Sequence, residues 1–211
     1  MEEAISKSEA FVLKYKNALI GGVAAIILII AGVLCYKNYY AQPREQKASA
    51  AMAKAEENFR NNEYEVALKG DDKGTVGFTQ IMSDYSGTDA AKIAKAYAGE
   101  CYAHLGQYKE AIDMLEGFDK GDQIISPAIK GMLGNCYAQV DQLDKAVSTL
   151  LEAAKDADNN SLSPIYLIQA GEILESQGKK AEALKAYQQI KDKYFQSMQY
   201  SEIDKYIERV K

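Results

Sequence analysis

The chain of 211 residues has no tryptophan, one histidine, three cysteines and three prolines. One imidazole and three thiols fall short of what a structural zinc site usually takes, four N or S ligands at characteristic spacings. The lone histidine, His104, has no Ser or Cys beside it in sequence to suggest a nucleophile and its base. No phosphate-cradling glycine loop, zinc-ligand spacing or nucleophile elbow occurs. An excess of positive charge is also missing. Lys and Arg total 25 against 30 Asp and Glu, a net charge of −5, which argues against a chain built to coat phosphate backbones. Asp71 and Asp72 form an isolated acidic pair, in a glycine-rich stretch that reads as a solvated turn. These absences predict a protein that is not an enzyme, takes no metal or cofactor and binds no nucleic acid.

What is present begins with a long apolar run. Ala18 to Tyr36, ALIGGVAAIILIIAGVLCY, carries no charge. At about 1.5 Å rise per residue it spans roughly 28 Å, close to the ~30 Å hydrocarbon core of a bilayer. Tyr15, Tyr36, Tyr39 and Tyr40 stand at its ends, where interfacial aromatics belong. The run is longer than the apolar region of a cleaved signal peptide, and no small-x-small pair follows it at a suitable distance. Leu34, before Cys35, stands where a lipoprotein site needs a small residue. The expectation is an uncleaved anchor at 18–36, after a short tail at 1–17 and before a juxtamembrane linker at 37–47. Lys7, Lys14 and Lys16 precede the span, and Lys37, Arg44 and Lys47 follow it. With the amino terminus, this bias slightly favours a cytoplasmic N-terminus and an exported remainder.

From Arg44 onward the chain is rich in Ala, Leu, Glu and Lys with apolar spacings of three and four, a helical pattern. It also repeats. AGECYAHLGQYKEAI, from Ala98, aligns with LGNCYAQVDQLDKAV, from Leu133, so that Gly99, Cys101, Tyr102 and Ala111 match Gly134, Cys136, Tyr137 and Ala146 at an offset of 35. At offset 37, Gly171, Leu174 and Ala183 match Gly134, Tyr137 and Ala146, and Tyr187 falls where Leu150 does. A degenerate copy at offset 44 sets Ala55, Tyr64 and Ala67 against Gly99, Tyr108 and Ala111. Small residues such as Gly99 and Ala111 are expected to face each other across a helix pair and permit close approach. Tyr102 and Tyr137 are expected to fill the space between pairs. Ser126-Pro127 and Ser163-Pro164 read as capping serines ahead of proline at the first helical position. Cys101 and Cys136, one repeat apart at a helix-packing distance of about 8–10 Å, exceed the reach of a disulfide.

A period near 34 with small-xx-Tyr, then Gly-x-Tyr, then Ala, resembles the tetratricopeptide repeat. The resemblance implies an all-α chain, an N-terminal transmembrane helix followed by a helical solenoid. Residues 48–195 would hold about four repeats, the first degenerate with an insertion near 70–77, and residues 196–211 a capping helix. Lys95 and Lys130 replace the family's frequent Trp, Asp141 replaces the turn glycine seen at Gly106 and Gly178, and the closing proline is missing. In the family, the first helix of each repeat lines a groove that holds a partner's segment. Copy by copy, the implied lining is Ile93, Glu100 and His104, then Asn135 and Gln139, then Ile165, Ile168 and Glu172. Such a mixture suits an extended or amphipathic peptide.

The architecture as a whole resembles the ancillary tetratricopeptide subunits of the bacterial Sec translocon. That resemblance implies a single-pass protein of the bacterial inner membrane, with periplasmic repeats. Its partners would be the translocon, periplasmic chaperones or exported clients. The alternative is a non-catalytic scaffold for a cell-envelope or cell-division assembly.

Overall fold

The computed structural model describes residues 7–72, 74–118 and 122–211. The first six residues of the expected tail, and Lys73 of the expected insertion, lie outside them. The chain divides into two compact units, residues 1–47 and 48–211.

In the first unit, α1 (Lys7–Tyr36) is followed by a π-helical turn, Lys37–Ala41, and by the start of α2 (Gln42–Arg60). The helical stretch Phe11–Arg60 contains an 18-residue window of mean hydropathy 2.8 with none of it buried, long and apolar enough to cross a membrane. Ile27, Leu28 and Ile29 are all exposed. A run of large exposed apolar side chains is costly in water and favourable in lipid.

The second unit is built from antiparallel helix pairs. Residues of α2 from Ala48 share a buried core with α3 (Tyr64–Lys69) and with α4 (Phe78–Asp84), which follows the insertion. Then come α5 (Asp89–His104) with α6 (Tyr108–Leu115), α7 (Ile125–Gln139) with α8 (Leu143–Ala157), and α9 (Ser163–Ser176) with α10 (Lys180–Lys193). A 3-10 turn at Met198–Ser201 leads to α11 (Ile203–Val210), whose Ile203, Ile207 and Val210 join Tyr187, Ile190 and Tyr194 in the C-terminal core. Among the described residues there is no strand, only an isolated antiparallel bridge between Gly70 and Val76.

The turn inside each pair is the same four times. Asn62, Gly106, Asp141 and Gly178 take left-handed φ values of 64°, 74°, 61° and 73°. Each donates its N–H three residues back, and the next residue donates five back, as in Gly106 to Ala103 (3.1 Å) and Gln107 to Tyr102 (2.9 Å). This arrangement satisfies carbonyls that the helix end would otherwise leave open. The degenerate first copy therefore keeps the repeat's turn. It departs beyond Lys69, where the insertion splits its second helix into α3 and α4. There Gly77 lies so close to Gly70 that a Cβ would sit 2.4 Å from the Gly70 nitrogen. Asp71 accepts from the Thr75 N–H at 2.9 Å, and the Thr79 hydroxyl donates to the Leu68 carbonyl at 2.9 Å.

Two local expectations are corrected. The residue nearest Gly99 is not Ala111 but Leu115, whose Cδ2 would lie 2.5 Å from an added Cβ. The turn sets the register so that the residue one helical turn beyond the small residue covers the glycine. Leu150 likewise covers Gly134, with the Ala146 carbonyl also in contact, and Tyr187 covers Gly171. Ala111, Ala146 and Ala183 are fully buried beside them.

Nor do Ser126 and Ser163 cap. They lie just inside α7 and α9, and the capping side chains sit four residues upstream. The Asp122 carboxylate accepts from the N–H groups of Ile124 (2.8 Å), Ile125 (2.5 Å) and Ser126 and from the Ser126 hydroxyl. Asn159 accepts from the N–H groups of Ser161 and Leu162 at 2.9 and 2.8 Å. Ser163 is buried and ties α9 back to α8 by donating to the Ala154 carbonyl at 2.7 Å.

Between pairs, Tyr102 packs against both the first and the middle core clusters. Tyr137 is buried and donates to the Glu116 carboxylate at the end of the preceding pair. Cys101 and Cys136 are buried free thiols, and burial pushes their pKa values up to about 12 and about 11.

Candidate protein-binding surface

The first helix of the second pair begins at a side-chain cap. The Thr88 hydroxyl accepts from the Ala91 N–H at 3.1 Å and donates to the Tyr85 carbonyl at 2.7 Å. From this start, Ile93, Ala96, Tyr97 and Glu100 fall at i, i+3, i+4 and i+7, one face of α5. Ile125 and Ile129 of the next first helix, α7, meet that face, and Phe118 closes one side. Together they surround an open cavity of about 220 Å³. Ile125 is 53% exposed and its neighbour Ile124 70% exposed. A large aliphatic side chain such as Ile125 left bare at the mouth of an apolar cavity is a mark of a binding surface.

Among the described residues, Glu100 is the one carboxylate lining the cavity. Burial pushes its pKa up, and nearby His104 opposes that shift. Among the described residues, its side chain has no hydrogen-bond or ion-pair partner. Tyr97 is held by aromatic contacts, with ring centroids 5.0 Å from Phe78 and 5.1 Å from Phe59. Its pKa is raised by burial first and then by the negative charges of Glu56 and Glu100, with Arg60 opposing.

The residues expected to line a groove divide. Ile93 and Glu100 come together at the cavity. His104 does not: its ring stacks on Tyr64 at 4.2 Å with planes 3° apart, and lies 6.3 Å from Phe59. It is a contact between the first and second pairs. Asn135, Gln139, Ile165 and Glu172 are exposed and lie outside the cavity lining. Ile168 is half-buried against the C-terminal core. Sequence reasoning missed Ala96, Tyr97, Phe118, Ile125 and Ile129. The spacing of Ala96 and Tyr97 relative to Ile93 was a readable signal, whereas the approach of α7 was not.

Among the described residues, no group of three or more His, Cys, Asp or Glu side chains is placed to hold a metal ion.

The tetratricopeptide repeat-like domain family matches residues 9–205, and the chain belongs to that family. The match extends over most of the apolar helix as well as the repeats. No curated protein matches the sequence. Among solved structures, the fold is similar to that of a Podosopora anserina protein described as a kinesin light chain with nearly identical TPR-like repeats. The TM-score is 0.58 at 13% sequence identity, over 79% of this chain and 85% of that one.

Proposed function

We propose that this tetratricopeptide-repeat chain is a membrane-tethered, non-enzymatic protein-binding module. In this reading α1 is its single anchor, and the face carrying Ile93, Glu100 and Asn135 receives segments of other proteins. The observation that carries the reading is the apolar cavity between α5 and α7, open to solvent and edged by the exposed Ile125. Tethering would act by mass action, since holding the binding face at the membrane raises its effective concentration toward partners there.

The finer form of the proposal puts the chain in a bacterial inner membrane, N-terminus inside and repeats outside. It would work beside the Sec translocon on exported clients or chaperones. The uncovered apolar helix ahead of an acidic helical-repeat domain supports it, as does a family match that runs across both. A scaffold for an envelope assembly is the second reading. The small volume of the cavity favours it, because about 220 Å³ suits one defined side chain better than a range of unfolded segments.

Photocrosslinking in native membranes tests the proposal. Benzoylphenylalanine at Ile125 or Asn135 is expected to capture partner proteins, and at exposed Lys109 on a second helix it is not. Lys145 is a poor control, because its ammonium lies over the Tyr137 ring at 5.0 Å. Equal capture from both faces would reject the binding face. Mass spectrometry of the adducts separates the readings: translocon components or many exported chains on one side, a single envelope protein on the other.

A further inference from the structure

The cavity between α5 and α7 pairs two chemistries. Its walls are Ile93, Ala96, Tyr97, Phe118, Ile125 and Ile129, and among the described residues its one charged lining group is Glu100. That carboxylate is half-buried and, among the described residues, has no hydrogen-bond donor or cation bound to it. A second carboxylate, Glu56, acts on the same Tyr97 ring that Glu100 does. The cation that also acts on this ring, Arg60, lies 3.9 Å from Glu56. His104 is stacked on Tyr64. An apolar side chain entering the cavity would strip more water from Glu100, which is costly unless the ligand supplies a positive donor.

We infer that the cavity selects a peptide segment in which an aliphatic side chain is flanked by lysine or arginine, the aliphatic group filling the apolar walls and the cation pairing with Glu100. This rests on the protein-binding reading above and names the partner's chemistry at that site. An acidic segment would bring a second negative charge to a partly desolvated carboxylate and be rejected, which makes Glu100 a selector as well as an anchor.

The test uses the full chain in detergent and three fluorescein-labelled peptides, GSGLKLGSG, GSGLELGSG and GSGSKSGSG, with binding read by fluorescence anisotropy. The Leu-Lys-Leu peptide is expected to bind about tenfold or more tighter than the other two, an effect carried by one charge-assisted contact over an apolar one. Glu100→Gln should bring Leu-Lys-Leu and Leu-Glu-Leu within about twofold of each other, and Glu100→Lys should reverse their order. Circular dichroism confirms that both variants fold. If either variant does not fold, Ile125→Ser on the exposed rim substitutes for it, and should weaken both Leu peptides while leaving Ser-Lys-Ser unchanged. Equal binding of the Lys and Glu peptides, no binding of any peptide, or a preference that survives Glu100→Gln overturns the inference. Crosslinks from Ile125 in membranes alongside such a result would leave the protein-binding reading standing and remove only this specificity. Their absence would remove the reading itself.

Discussion

The ring of Tyr187 lies directly over the backbone of Gly171, so close that a Cβ on the glycine would sit 2.3 Å from the tyrosine Cε1. The tyrosine hydroxyl continues to the Glu175 carboxylate, which also holds Arg209 of α11 through two contacts of 2.8 and 2.7 Å. One glycine thus admits the ring that links the last pair to the capping helix. Between pairs, Gly131 admits Tyr166 in the same way, with a Cβ-to-ring separation of 2.3 Å. Replacing Gly171 or Gly131 by alanine should therefore destabilise the repeat domain by about 1–3 kcal/mol, the usual cost of overpacking. Thermal melts of the purified chain measure it. Full retention of the melting temperature in both variants would reject these contacts.

Asp141 is the informative member of the turn series. It adopts φ 61° where Gly106 and Gly178 stand in the neighbouring pairs. A side chain in the left-handed region is strained, less so for aspartate than for most residues. Asp141→Gly is expected to stabilise the chain by a few tenths of a kcal/mol up to about 1 kcal/mol, the relieved strain exceeding glycine's added backbone entropy. Gly178→Ala should move stability the opposite way. Chemical denaturation midpoints test both, and a shift of the same sign in each would contradict the turn geometry.

Backbone N–H bonds from the start of α7, first from Ile124, hold the Asp122 carboxyl at about pKa 2, below its usual 3.8. The folded state thus favours the charged form, so the stabilisation is present above the unfolded pKa and is lost as pH falls through the folded value. The stability difference between the chain and its Asp122→Ala variant should stay level from pH 7 to about 4 and shrink between about 4 and 2. Melting temperatures across that range give the profile. A gap that widens on acidification would be the wrong sign.

Cys101 and Cys136, with thiols pushed up to about 12 and about 11 by burial, hold almost no thiolate at neutral pH. In the folded chain both should resist N-ethylmaleimide at pH 7.5 for hours and react promptly in guanidinium. Mass spectrometry of tryptic peptides distinguishes them from Cys35. Rapid labelling of either under native conditions would show that its helix opens readily.

Helices, the repeat period and the uncharged run were legible in the sequence, because each depends on residues a few positions apart or on composition within one segment. Gly106 and Gly178 announced their turns because only glycine is comfortable in the left-handed region. What faces each small residue was not legible. The pairing of Gly99 with Leu115, and of Gly171 with Tyr187, depends on the register between two helices, which the turn fixes and the spacing of either helix alone does not. The caps at Asp122 and Asn159 were hidden behind more conspicuous Ser-Pro pairs, since a capping side chain is known only by the N–H groups it reaches. The candidate cavity divides along the same line. Ile93 and Glu100 follow from the helical period of α5, but the wall made by Ile125 and Ile129 comes from another helix, and packing between helices decided which residues meet.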